Sequence, residues 1–169
     1  LFDPIHEKFT AFKHVETDPK SLINNTIRSL TLDDAGKIWI GTLDGLSIMD
    51  VETFTCTNIK YDPNENRGLN QNSIHAMYKD QSGSIWVGTY FGGVNVNYPY
   101  ATTFKVYNRS NSNLNNNVIS SFAQDQSGNL WVSTEGGGLN YLNQGNKTFK
   151  SFKNIPEYQN SLSTNLIKK

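Results

Sequence analysis

The stretch SIWVGTYFGGVNV, Ser84–Val96, is written three times in this chain, since KIWIGTLDGLSI begins at Lys37 and NLWVSTEGGGLNY at Asn129. Aligned on Trp39, Trp86 and Trp131, the copies lie 47 and 45 residues apart, and the register extends outward on both sides. Twelve residues before each tryptophan stands an isoleucine, Ile27, Ile74 or Ile119, each behind an asparagine-rich loop: SLINNT, GLNQNS and NLNNNV. A fourth loop, SLSTNLI, reaches Ile167. Six residues before each tryptophan comes Asp33, Asp80 or Asp125, and three before it Gly36, Gly83 or Gly128. After each copy Phe54, Phe104 and Phe149 follow in TF pairs, and Phe9 reads as the same element of an earlier unit. Agreement at so many positions defines an internal repeat with a period in the mid-forties.

Each period reads as four short strands. Ile27 to Leu32 alternates small and large residues, DDAGK makes a turn, and IWIGT, LSIM and FTCTNIKY supply three more. No segment holds a helical apolar period. Four strands in about 45 residues is the size of a β-propeller blade. The fold class is therefore all-β: a propeller fragment of four-stranded antiparallel blades, part of a larger ring of about seven. The expected division is 1–22 as the end of a preceding blade, 23–69, 70–114 and 115–160 as blades, and 161–169 as the start of the next. The three tryptophans are expected to fill the wedges between blades. Asp33, Asp80 and Asp125 are expected to brace the turns before them, because an aspartate can bond the backbone two residues on. Repeated once per blade, these carboxylates cannot converge on one substrate.

Composition narrows the function. The 169 residues carry 15 basic and 15 acidic side chains, interspersed, so no basic face marks a nucleic-acid partner. No apolar run is long enough to insert into a membrane. Cys56 is the lone cysteine, which excludes an internal disulfide and a cysteine zinc site. His6, His14 and His75 are scattered, with His75 standing where the other units have Arg28 and Ser120. No catalytic set, cofactor motif or metal set assembles, so the segment is read as non-enzymatic, with no cofactor and no metal. LFDP begins in mid-pattern, which reads as a piece of a longer protein. An open arc of blades leaves apolar flanks, so the remaining blades of a parent, or a second copy in a homodimer or looser self-association, are expected to cover them.

The pattern D-x-x-G-x-[IL]-W-[IV]-[GS]-T-x-x-G-[GL], preceded by S/N-L-x-x-N-x-I, closely resembles the two-component regulator propeller repeat. Departures are small: Ser133 stands where the other copies have Gly41 and Gly88, and Thr57 replaces the second aromatic of an F-x-x-[FY] pair seen at Phe12, Tyr107 and Phe152. The resemblance implies an exported, periplasmic sensory propeller of a hybrid two-component histidine kinase, responding to glycans or their oligosaccharide fragments. It also implies that the parent, not this segment, carries the kinase. The sialidase Asp box also joins Asp, Gly and Trp, but it goes with an arginine cluster, and Arg28, Arg67 and Arg109 fall at no corresponding repeat positions.

Propellers engage ligands on one end, with the loops that join blades and the turns between second and third strands. Here those segments offer Asn25, Asn72 and Asn117, which repeat in register, and Asp44, Tyr90, Phe91 and Glu135, whose residue types do not repeat. Amides and carboxylates pair with sugar hydroxyls, and aromatic rings stack on pyranose faces, so an oligosaccharide or other small ligand is the expected partner. The alternative is a structural or protein-interaction scaffold, in which the asparagines merely cap turns.

Overall fold

The computed structural model describes residues 1–65, 68–101 and 103–168, so Arg67 lies outside the described residues. These hold strands and turns and no helix. A small hairpin, β1 (Phe2–Asp3) with β2 (Lys8–Phe9), precedes three antiparallel four-stranded meanders. The first is β3 (Ile27–Leu32), β4 (Ile38–Thr42), β5 (Gly45–Met49) and β6 (Cys56–Ile59). The second is β7 (Ile74–Lys79), β8 (Ile85–Thr89), β9 (Val94–Asn97) and β10 (Phe104–Tyr107). The third is β11 (Ile119–Gln124), β12 (Leu130–Thr134), β13 (Gly138–Asn143) and β14 (Thr148–Phe152). The first strands, β3, β7 and β11, run side by side, so the sheets fan out from a common axis as blades of a propeller fragment.

The turn between first and second strands explains the invariant spacing. Asp33 Oδ1 accepts the backbone N–H of Ala35 at 2.9 Å and of Lys37 at 2.8 Å, while its Oδ2 accepts the Trp39 indole N–H at 2.9 Å. Asp80 repeats this with Ser82, Ser84 and Trp86, the indole bond being 2.7 Å. Asp125 accepts from Ser127 and Asn129, each at 2.9 Å, but its outer oxygen takes the Tyr141 hydroxyl at 3.3 Å in place of an indole. Desolvation pushes the Asp125 carboxyl up, yet the bonds from Asn129, Ser127 and Tyr141 outweigh it and hold the group below the usual carboxylate range. Gly36, Gly83 and Gly128 close these turns at φ of 78°, 82° and 81°, a left-handed backbone that glycine adopts without a Cβ penalty.

Packing between blades uses the tryptophans and one glycine. Trp39 meets the Phe104 ring of the second blade edge-on at 6.3 Å. Trp86 is wholly buried in a cluster with Tyr107, Ile119, Leu130, Val132 and Phe149, most of them from the third blade. Trp131 is half-buried and rests on Tyr141 and Phe152 of its own sheet. In β4 and β8, Gly41 and Gly88 lie under the next blade's first isoleucine; a Cβ there would come within 2.5 Å of Ile74 Cγ2 and 2.6 Å of Ile119 Cγ2. In β12 the buried Ser133 occupies this position, and its hydroxyl bonds Ser120 and Ser121.

A second repeated device escapes the sequence pattern. The third strand of each blade carries a fully buried polar residue, Ser47, Asn95 or Asn140. Each accepts a backbone N–H from the loop that leads into its own blade: Ile23 at 3.0 Å, Asn70 at 3.1 Å and Asn115 at 3.3 Å. Buried polar atoms are thus paired with loop backbone that would otherwise be orphaned. The loop leucines Leu22, Leu69 and Leu114 are buried beside them.

The strand register corrects one equivalence. Cys56 pairs Met49 where Phe104 pairs Asn97 and Phe149 pairs Leu142, and Ile59 pairs Leu46 where Tyr107 pairs Val94 and Phe152 pairs Leu139. The aromatic pair of the outer strand is therefore replaced in the first blade by Cys56 and Ile59; Phe54 precedes the strand, at φ 56°, stacked on Phe12 at 4.9 Å. Burial of Cys56, with Asp18 nearby, pushes its thiol up and keeps it protonated and inert.

Candidate functional site

The end of the arc where β3, β7 and β11 begin gathers two sets of loops. Leu43, Tyr90 and Glu135, each first in the turn between second and third strands, donate their N–H groups to Thr26, Ser73 and Val118 at 3.0–3.1 Å. Gly45, Gly93 and Gly138, closing those turns, donate to Asn72, Asn117 and Asn165 of the following loop at 2.8–3.0 Å. Each turn is thus clamped between its own entering loop and the next one. This crown positions every candidate ligand-binding residue.

The asparagines that repeat in register are committed to backbone. The side-chain carbonyl of Asn25 accepts the N–H of His14 at 2.7 Å, that of Asn72 the N–H of Tyr61 at 2.6 Å, and that of Asn117 the N–H of Arg109 at 2.9 Å. Asn165 does the same for Asn154 at 2.7 Å. Repetition here reflects a bond every blade needs where the chain passes from the outer strand to the next blade.

The residues that break the repeat form separate groups. Asp44 accepts from Lys60 Nζ at 2.7 Å and from Asn72 Nδ2 at 3.1 Å, a half-exposed ion pair at the first junction. Tyr90 is half-buried and stands edge-on to His75 at 5.6 Å and to Phe91 at 4.4 Å, while the Phe91 ring is mostly exposed. Glu135 is half-buried; its backbone carbonyl accepts the Asn116 side-chain amide at 3.1 Å, and it bridges to Leu166. No hydrogen bond or ring contact among the described residues joins Glu135 to either other group.

Sequence reading missed a ring of bulges beside this crown. The register of each first strand slips by one residue, at Arg28, His75 and Ser120. A bulge turns a side chain off the pleat, and two of these reach the next blade: His75 Nδ1 meets the Ile119 carbonyl at 2.9 Å, and Ser120 Oγ donates to the Ile167 carbonyl at 2.6 Å. A carbonyl only accepts, so His75 Nδ1 is the donor in this bond. The signal was present as a polar residue directly after the strand-opening isoleucine in IRS, IHA and ISS.

What this arrangement can do is bind. It offers the exposed Phe91 ring beside the half-buried Tyr90 and a carboxylate–ammonium pair at the rim. Among the described residues no group of three or more His, Cys, Asp or Glu could hold a metal, and no helix is long and apolar enough to cross a membrane.

The profile described as two component regulator propeller matches residues 21–44, 68–91 and 113–136, one segment per blade. No curated protein matches the chain in sequence. Among solved structures, the extracellular domain assigned to the hybrid two component system BT3049 of B. thetaiotaomicron is similar at 24% identity and TM-score 0.68, over 82% of this chain and 18% of that one. Virginiamycin B lyase of Staphylococcus aureus is similar at 12% identity and TM-score 0.59, over 78% of this chain and 42% of the lyase. YCF48 of Cyanidioschyzon merolae follows at 17% identity and TM-score 0.55, over 78% and 41%. At these identities the likeness is one of fold, and the chain spans less than half of each.

Proposed function

We propose, for a chain that carries three repeats of the two-component regulator propeller family, that it is a non-catalytic, ligand-sensing segment of the exported propeller of a hybrid two-component sensor. Its location is the periplasm, and its ligand is an oligosaccharide derived from a glycan. The family match and the likeness to a hybrid-system extracellular domain support the sensory role. The observation that carries ligand binding at this end is the Tyr90–Phe91 pair. The Phe91 ring is mostly exposed, and the other two blades place Leu43 with Asp44, or Glu135 with Gly136, in its turn. Such an aromatic face suits the apolar face of a pyranose, and Asp44 with Lys60 supplies hydroxyl partners on the neighbouring blade.

Binding of neutral oligosaccharides, read on a glycan array and then by calorimetry, is expected to weaken tenfold or more in Phe91→Ala and in Tyr90→Ala, as truncation of a central aromatic anchor commonly does. Unchanged binding in both variants contradicts the site. The apolar flanks of the arc lend weight to the remaining blades of a parent, or a second copy, as further partners. On one flank the exposed Ile27 and Leu30 line a cavity of about 530 Å³; on the other Trp131, Ile155 and Tyr158 line one of about 420 Å³.

A further inference from the structure

The opposite end of the arc carries a cleft that none of this uses. It has a volume of about 260 Å³ and opens between the first and second blades, walled by Asp34 and Trp39 on one side and by Gly83, Asn97, Pro99 and Tyr100 on the other. Asp34 crosses the junction to pair with Lys79 of the second blade. A Cβ on Gly83 would come within 2.5 Å of Asp34 Oδ2, so the two turns meet closely at the floor.

The turn that supplies Tyr100 departs from its equivalents. In the other outer hairpins an aspartate or asparagine accepts two successive N–H groups: Asp3 from Ile5 and His6, Asp50 from Glu52 and Thr53, and Asn143 from Gly145 and Asn146. Each then passes through a left-handed residue four positions on: Glu7, Phe54 and Lys147, at φ of 51°, 56° and 58°. In the second blade Tyr98 stands in that place, and the preceding Asn97 donates its side-chain amide to the Ala101 and Thr103 carbonyls. Tyr100 of this hairpin is left-handed, at φ 64°, and its side chain is fully exposed. A bulky aromatic in this region is sterically disfavoured, and holding one there in water brings the fold no burial in return.

We propose that this cleft is a second carbohydrate subsite, taking one sugar ring stacked on Tyr100, with its hydroxyls on the Asp34 carboxylate and the Lys79 ammonium. The site takes its ligand class, though not its location, from the function proposed above. The chemistry is that of a sugar: the Asp33 carboxylate at the cleft is taken up by two turn N–H groups and the Trp39 indole, Asp34 is paired with Lys79, and the Tyr100 ring lines the same cleft. The volume lies below the roughly 300–1,000 Å³ of pockets for drug-sized ligands, which suits a single residue of a longer oligosaccharide.

The test uses this chain and the variants Tyr100→Ala, Tyr100→Phe, Asp34→Asn and Phe91→Ala, each first checked for native far-ultraviolet circular dichroism. The probes are a printed array of neutral oligosaccharides and calorimetric titration with cellotetraose, maltotetraose and mannotetraose. Expected are array signals that fall tenfold or more in Tyr100→Ala and Asp34→Asn and survive in Tyr100→Phe, with sugar binding perturbing Trp39 emission. Signals that are lost only in Phe91→Ala overturn the second subsite and leave the crown site standing. Signals lost only in the cleft variants support the subsite and overturn the crown site. An array without any signal overturns both.

Discussion

Trp86→Ala is expected to destabilise the chain by about 3–5 kcal/mol, the range for removing a large aromatic from a packed interior. Trp86 is wholly buried between the second and third blades, and its indole N–H bonds Asp80, itself buried. Burial of roughly 200 Å² at about 25 cal/mol per Å² gives ~5 kcal/mol of transfer free energy before entropy is subtracted. The substitution also leaves Asp80 Oδ2 without the indole, a further cost for a buried carboxylate. Trp131→Ala removes the same side chain from an open flank where Asp125 does not bond it, and is expected to cost less than half as much. Equilibrium denaturation in urea compares the two; equal losses contradict the account of the wedge.

Gly88→Ala has the next largest expected effect, about 1–3 kcal/mol from overpacking. Gly88 sits at an ordinary backbone conformation, so its cost is contact alone: the new methyl meets Ile119 Cγ2 at 2.6 Å and Cβ at 2.9 Å. These atoms lie beside the backbone of the next blade's first strand and cannot swing away. By contrast, a Cβ at Gly36 meets nothing within 4 Å, so Gly36→Ala pays only for its left-handed φ of 78°, roughly 1 kcal/mol. A double-mutant cycle with Ile119→Ala isolates the contact, because the cavity left by Ile119 receives the methyl. The pair is expected to be more stable than the sum of the single losses implies; strict additivity contradicts the packing.

These contrasts show why so much of the fold was legible. A blade must show the same two flanks to its neighbours each time, so Trp39, Trp86, Gly41 and Gly88 recur with the interface, and Asp33, Asp80 and Asp125 recur with the turn that holds the indole. Legibility failed where spacing drifts or partners are remote. The outer hairpins are equally long from Met49 to Cys56, Asn97 to Phe104 and Leu142 to Phe149, but the TF pair of the first blade falls inside its turn, so matching TF pairs set Phe54 against Phe104 when the ladder sets Cys56 there. Ser47, Asn95 and Asn140 looked like ordinary strand residues because the N–H groups they accept lie 24 or 25 residues earlier. The candidate site was legible in part. Repetition marked Asn25, Asn72 and Asn117, whose carbonyls serve the fold, and its absence marked Tyr90 and Phe91, whose rings do meet. Tyr100 carried no pattern at all, since its distinction is one of backbone conformation and exposure.

Acrylamide quenching of three single-tryptophan proteins, each made by Trp→Phe replacement at the other two positions, reads the arrangement of blades most directly. With sheets fanned about an axis and the last flank open, Trp86 is expected to be nearly unquenched, Trp39 slightly more accessible, and Trp131 the most. Equal quenching of the three, or a Trp86 as accessible as Trp131, would mean that the blades do not cover one another as described.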